Sequence, residues 1–223
     1  MSTPAIVLHD SVDDPYAELW FAEPPGFIAL PLDALLADPG SPAAEGLRGA
    51  VAPLLDAAPS EPARQGFVAQ LAQGQQILAA LCQFGTVHCS VGLHRDDIDG
   101  SGAAAHLLSF LTITWHSTSV APRAVTAARA VTSASGGHTH VACVDLPSGP
   151  ATLSETTVGP TPGSGLPQLP LLQVHAHLPH PDCKRMAVFT LSTTVPARRG
   201  EYRAILREVV ETVRFADPLA AEA

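Results

Sequence analysis

The feature that most limits what this chain can fold into is a change of hydrophobic period at Thr86. Before this point apolar residues recur mainly every three or four positions, whereas after it apolar and polar residues alternate. A period of two is the side-chain repeat of a β-strand. It predicts six strands, at residues 86–94, 107–116, 138–145, 151–158, 171–178 and 185–195.

Turn signals such as Pro147-Ser148-Gly149-Pro150 separate these strands. Strands joined by short turns must be antiparallel, because a parallel return needs a long crossover. Residues 27–32 also alternate and predict a first strand. Helical patterns cover residues 33–82, 122–132 and 201–215. In the first, Pro53 should interrupt or kink a helix, and Ser60 should cap the next one.

This order of elements predicts an α+β fold in which one antiparallel sheet packs with helices. The chain has 223 residues, of which 46% are hydrophobic, and this is enough for one sizeable core. We expect a single domain over residues 25–216, an N-terminal arm over 1–24 and a C-terminal tail over 217–223. The aromatic part of the arm, with Tyr16, Trp20 and Phe21, should pack on the domain.

Charge and composition exclude several classes of function. The formal net charge is −9, and Lys and Arg form no cluster, which disfavours nucleic-acid binding. No apolar run is long enough to insert into a membrane. The N-terminus lacks the basic start and apolar stretch of a secretion signal, so we expect a cytoplasmic protein. Free thiols are expected there at the four cysteines, Cys82, Cys89, Cys143 and Cys183.

Alternation also sorts the strand residues into two faces, provided that no strand slips by one residue. The expected core face carries Val87, Cys89, Val91, Leu93, Leu107, Leu111, Ile113, Trp115, Val141, Cys143, Val174, Ala176, Leu178, Ala187, Phe189 and Leu191. The expected polar face carries Thr86, His88, Ser90, His94, Thr112, Thr114, His116, His138, His140, Gln173, His175, His177, Thr190, Ser192 and Thr194. A polar face is usual on a half-exposed sheet, but one so rich in histidine also suits a partner-binding groove or a metal site.

Two His-x-His pairs, His138 with His140 and His175 with His177, could together hold zinc if their strands were neighbours. The sequence from His175 to His180 has metallo-β-lactamase spacing, but Pro179 replaces the aspartate of that motif. A calcium-like segment at residues 97–100 lacks its distal glutamate. No nucleophile elbow or nucleotide-binding loop is found, so we predict neither catalysis nor a resident metal or cofactor.

In the last third of the chain, residues 186–196 read Met-Ala-Val-Phe-Thr-Leu-Ser-Thr-Thr-Val-Pro, and a closing helix then ends in Thr-Val-Arg-Phe at 212–215. This ending resembles that of PsbP-like domains, in particular the small actinobacterial type. The opening, Pro-Pro-Gly-Phe at 24–27, is similar to the first strand of that superfamily. The resemblance implies an α/β/α sandwich and a binding or assembly role without shared catalytic residues.

These features together favour a non-catalytic adaptor or accessory subunit of a bacterial multiprotein assembly, for example in specialised secretion. Its partner would be another protein or a second copy of the chain. The candidate partner-binding residues are Tyr16, Trp20, Phe21, His88, His116, His138, His140, His175 and His177. The alternative is a metal-binding protein or metal-dependent enzyme that uses the histidines of the sheet.

Overall fold

A computed structural model describes residues 7–8, 18–34, 37–38, 40–56, 58, 60–69, 85–95, 106–133, 137–159 and 170–218. Its centre is a seven-stranded sheet with the strand order β3-β4-β5-β9-β8-β7-β6, antiparallel throughout. These strands are β3 (Phe27–Ala29), β4 (Thr86–Arg95), β5 (His106–Ser117), β6 (Thr139–Leu146), β7 (Gly149–Val158), β8 (Leu171–Pro179) and β9 (Arg185–Thr193). A separate pair is formed by β1 (Val7–Leu8) and β2 (Ala22–Glu23). The α+β class and the antiparallel sheet are therefore confirmed.

Four helices pack with this sheet, namely α1 (Pro42–Asp56), α2 (residues 61–69), α3 (Arg123–Ser133) and α4 (Arg199–Thr212). The cap predicted at Ser60 is confirmed, because its hydroxyl accepts a hydrogen bond from the Ala63 amide at 3.3 Å. An interruption at Pro53 is not observed, since α1 continues to Asp56. Pro53 lies in the last turn, where it removes only one backbone bond. No helix in the described part of the chain is long and apolar enough to cross a bilayer.

One face of the sheet, here called the α4 face, carries the larger core. Cross-strand partners point to the same side, so the pairs Leu111–Leu191 and Leu191–Val174 place these three residues together. They pack with Ile113 and Phe189 in a cluster that α4 completes. The buried side chains that α4 contributes are Tyr202, Leu206, Val209 and Val210.

The opposite face, here called the α3 face, has two halves of different character. Near β3 and β4 it is apolar, and Cys89 and Val91 pack there with Val51 of α1 and Phe67 of α2. Near β7 and β8 it carries hydroxyl and imidazole groups instead. Thr152, Ser154 and His177 are buried there, and α3 packs against the same two strands. These side chains lie on the face opposite α4, so their burial places α3 over this polar half.

The predicted division into one core face and one polar face is wrong for β4. Leu111 pairs with Ser90, so Ser90 and His88 lie on the α4 face, while Cys89 and Val91 lie on the α3 face. The alternation inside β4 was read correctly, but its phase relative to β5 depends on the pairing register. A register shift between Thr86 and His88 also leaves Val87 52% exposed.

The prediction is also wrong for β6, where Val141 and Cys143 were expected in the core. The pairing with β7 shifts between Thr139 and Ala142, and His140 adopts a positive φ of 49°. Such an irregularity inserts a residue and reverses the faces of those that follow. Val141 and Cys143 are consequently exposed.

Residues 18–23 hold the arm against the domain. Trp20 exchanges two backbone hydrogen bonds of 2.9 Å with Arg214 beyond α4. Phe21 packs edge-on against Phe189 in the core, and Glu18 pairs with Arg185. The expectation that the aromatic segment packs on the domain is confirmed for Trp20 and Phe21, and Tyr16 lies outside the described residues.

Candidate functional site

Three histidine side chains gather beneath α3, and we call them the imidazole cluster: His138, His175 and His177. Their ring centroids are 5.3, 5.8 and 6.0 Å apart. Residues 175 and 177 alternate with Ala176 on β8, so both rings point to the α3 face. His138 reaches them from the segment that precedes β6. The condition set in the sequence analysis, neighbouring strands, is not met, because β7 lies between β8 and β6, but the three rings come together across β7.

Hydroxyl groups hold two members of the imidazole cluster. His175 lies between two threonines, with Nε2 3.0 Å from Thr156 Oγ1 and Nδ1 3.1 Å from Thr190 Oγ1. His138 Nδ1 lies 2.9 Å from Ser154 Oγ. Because a hydroxyl can both donate and accept, these contacts satisfy a neutral imidazole in either tautomer.

His177 differs from both neighbours. It is only 7% exposed, and neither ring nitrogen has a hydrogen-bond partner among the described residues. A buried polar group without a partner is rare in proteins and calls for a physical explanation. His177 is therefore the point in this cluster at which a water molecule or a ligand would gain most.

Burial keeps the imidazole cluster uncharged at neutral pH. Desolvation, followed by the nearby His138, lowers the pKa of His175 to about 4. Desolvation lowers the pKa of His177 to about 3, and His175, His138 and His116 add to the effect. Burial also lowers the pKa of His138. Neutral rings of this kind can accept hydrogen bonds or donate lone pairs to a metal.

The structure does not bring together all four histidines considered for zinc. His140 turns away from the cluster, and its Nε2 lies 3.3 Å from Glu155 on the α4 face. His180 pairs with Asp182 and packs between Trp115 and Phe215. In the described part of the chain, no group of three His, Cys, Asp or Glu residues is arranged to hold a metal ion.

Glu155 forms a second polar centre, which the sequence analysis did not identify. Its carboxylate is 1% exposed and lies beneath α4. Oε2 accepts a hydrogen bond of 2.8 Å from Arg203 Nε, and Oε1 lies 3.4 Å from Arg199 Nη1 and 3.3 Å from His140 Nε2. These four residues are called the Glu155 cluster below. Its sequence signal is an isolated charge inside the alternating strand Leu-Ser-Glu-Thr-Thr-Val, together with arginines four residues apart on α4.

A third buried polar group explains the position of His88. Its Nε2 lies 2.6 Å from Glu23 Oε1, and Ser90 Oγ donates to Glu23 Oε2 at 3.1 Å. All three side chains are less than 9% exposed, and Phe21 packs edge-on against the His88 ring. The serine hydroxyl donates to the carboxylate, whereas in a catalytic triad it donates to the imidazole.

Several candidate partner-binding residues consequently do not form an open surface. Trp20, Phe21 and His88 are buried in the α4 face of the domain, and His177 is buried beneath α3. These four side chains are buried against the rest of the chain, so a partner protein cannot reach them in this fold. His116 and His140 are exposed, and His138 and His175 are partly exposed, although His116 and His140 lie on opposite sides of the sheet.

A cleft of about 430 Å³ opens beside the Glu155 cluster, between α4 and strands β6, β7 and β8. Its apolar lining comes from both the sheet and the helix. The polar groups that reach it are His140, Arg203 and Arg207. The described residues that line it are His140, Val141, Ala142, Leu153, Ser154, Val174, Arg203, Ala204, Leu206 and Arg207.

Comparison with known proteins adds no family to this description. No family model matches the chain, and neither the curated proteins nor the solved structures contain a significant match.

Proposed function

We propose that this protein is a non-catalytic adaptor or accessory subunit in the bacterial cytoplasm and that it contacts its partner through strand β6. The observation that carries the proposal is the exposed position of this strand at the edge of the sheet. In the part of the chain that the structure describes it is the last strand of the sheet, and residues 139–143 are all exposed. A strand at the edge of a sheet presents backbone N–H and C=O groups that an extended segment of another chain can pair with.

The chemistry of β6 supports the same proposal. Residues 139–144 contain no Lys, Arg, Asp or Glu, and Val141 is 49% exposed. Charged side chains are one of several features that protect an edge strand against pairing, and they are missing over these six residues. The other edge of the sheet, β3, has only three residues. A PsbP-like relationship would fit this binding role and stays a prediction.

Cys143 provides a direct test, because it is exposed in the middle of β6. A photo-crosslinker is attached to Cys143 in a variant that carries Cys82→Ser and Cys183→Ser, while Cys89 is buried. We expect one discrete crosslinked product in cells of the native host, and mass spectrometry identifies it. A crosslinked dimer of the chain would identify a second copy as the partner.

Two variants make this test specific. Val141→Lys puts a charge on the edge strand and should remove the product without lowering thermal stability. A cysteine introduced at Val120, which is 75% exposed and precedes α3, serves as the matched control attachment point. The proposal fails if the Val120 position captures the same product or if Val141→Lys leaves the yield unchanged.

Metal binding by the imidazole cluster is the second candidate function, and His177 is the observation that favours it. Three neutral rings lie within about 6 Å of one another, and one of them has no hydrogen-bond partner among the described residues. Ring rotation would have to direct the nitrogens to one point. Ser154 and Thr190 would then orient His138 and His175 through their other nitrogens.

Elemental analysis of protein purified without chelator tests this candidate. Two results together would establish metal binding. The purified protein contains zinc, and added zinc raises the melting temperature of the wild-type protein but not that of His177→Ala. Metal-free protein whose melting responds to neither zinc nor chelator would end it.

A further inference from the structure

The cleft beneath α4 combines a small apolar chamber with a positively charged border. Its volume of about 430 Å³ lies within the range of small-molecule sites. Leu153 and Val174 of the sheet and Leu206 of α4 supply apolar walls. Burial of an aliphatic or aromatic group against these walls would be favourable, because it removes apolar surface from water.

The positive border comes from a row of arginines on α4. Arg199, Arg203 and Arg207 follow one another every four residues, so they lie along one side of the helix. Glu155 neutralises one charge of the first two. Arg207 pairs at 3.0 Å with Glu211, but this pair is half-exposed and can exchange its partner at little cost.

The charge balance of this row favours an anion. Three arginines face two carboxylates, which leaves one positive charge beside the cleft of a chain whose net charge is −9. Both oxygens of Glu155 already contact cations, so the cleft offers no free carboxylate to a cationic ligand. One excess charge matches a monoanion better than a phosphate, whose charge at pH 7 is close to −2.

We propose that this cleft binds a small organic monocarboxylate, with its carboxylate at Arg203 and Arg207 and its apolar body between the sheet and α4. The inference goes beyond the proposed adaptor function and does not depend on it. The cleft shares His140, Val141 and Ala142 with β6. A bound carboxylate would therefore lie directly beside the strand that we propose as the partner contact.

Octanoate is a suitable probe, and its binding to the full-length protein is measured by isothermal titration calorimetry and by NMR shifts of α4 and β6. Octanol, which keeps the chain but lacks the charge, and inorganic phosphate, which has the charge but no chain, are the comparison ligands. We expect saturable binding of octanoate and much weaker binding of the other two.

Two variants locate the site. Arg207→Gln should weaken octanoate about tenfold by removing a charge-assisted hydrogen bond. Ala204→Leu should abolish binding by filling the cleft without changing its charge. Arg129→Gln and Ala128→Leu make the same changes at exposed positions on α3 and should leave binding unchanged.

Either of two results overturns the proposal. The first is the lack of saturable octanoate binding to the wild-type protein. The second is unspecific binding, in which octanol or phosphate binds as tightly as octanoate, or Arg207→Gln and Ala204→Leu bind octanoate as tightly as the wild-type protein. Crosslinking through Cys143 is scored separately, so failure of the carboxylate site and failure of the adaptor function are distinguishable.

Discussion

Two buried polar centres lie on opposite faces of the same strand, and different groups compensate for the loss of water in each. On β7, Ser154 and Thr156 point to the α3 face and hold His138 and His175, whereas Glu155 points to the α4 face and holds two arginines. The first centre remains neutral because hydroxyls can satisfy an uncharged ring. The buried carboxylate of Glu155 is instead compensated by positive charge, which the two arginines supply.

The comparison shows what each centre can contribute. Charges in the Glu155 cluster hold α4 to the sheet and leave a positive border that a ligand can use. The imidazole cluster carries no charge at neutral pH, and its His177 ring has no hydrogen-bond partner among the described residues. This cluster should therefore respond to protons or to a metal ion. The predictions below test this difference, from the largest expected effect to the smallest.

Removing the buried charge should cost the most. Glu155→Gln is expected to lower the free energy of unfolding by about 3 kcal/mol, because Arg199 and Arg203 lose their shared counter-ion. Urea denaturation measures this. Glu201→Gln removes an exposed partner of Arg198 on the same helix and should cost less than about 1 kcal/mol. Equal losses in the two variants would contradict the special role of Glu155.

Acid should destabilise the protein through the imidazole cluster. The folded pKa values of about 4 for His175 and about 3 for His177 lie below the unfolded value, so the unfolded chain binds more protons. The stability that comes from keeping these rings neutral is complete above about pH 6.5 and is lost as the pH falls through about 4 for His175 and about 3 for His177. Each ring should contribute a slope of up to about 1.4 kcal/mol per pH unit.

Urea denaturation at several pH values measures this slope in the wild-type protein and in His177→Leu, which should lose one ring's share of it. His116→Gln removes an exposed histidine that contributes least to the lowered pKa of His177, so this control variant should keep nearly the whole slope. A slope that is equal in the wild-type protein and in His177→Leu would show that His177 does not stay neutral by burial.

At pH 7 the same replacement should have little effect. His177→Leu removes a buried polar ring that has no hydrogen-bond partner among the described residues, so stability should change by less than about 1 kcal/mol. Thermal unfolding at pH 7 provides the measurement. A loss well above 2 kcal/mol would mean that the ring bonds a ligand or metal in solution.

The smallest effect is expected at the end of the arginine row. Arg207→Gln breaks a half-exposed pair with Glu211 and should lower the free energy of unfolding by no more than about 0.5 kcal/mol. Chemical denaturation would verify this, with Glu211→Gln as the partner variant. A larger loss would place Arg207 with Glu155 among the groups that hold α4.

Much of the local structure was predictable from the sequence. The strands at β5, β8 and β9 begin and end within two residues of their predicted positions, because alternation and turn residues are local properties. The proximity of His175 and His177 was likewise predictable, since residues two apart on a strand share a face. His138 joined them only because α3 returns the chain to β7.

Other features depend on the pairing of distant strands. The register Leu111–Ser90 decided that His88 meets Glu23 in the core, and a single irregularity in β6 sent His140 to Glu155 and exposed Cys143. Neither could be inferred from periodicity, because a shift of one residue keeps the pattern within a strand and reverses its faces.

The sequence by itself determined the strands of the main sheet, their antiparallel arrangement and the clustering of two histidines, because these follow from short-range sterics and side-chain period. Only the tertiary structure decided which polar residues are buried, how Glu155 gains its arginines, and where the cleft opens. These depend on register and on the placement of α3 and α4, which are set by packing between segments far apart in the chain.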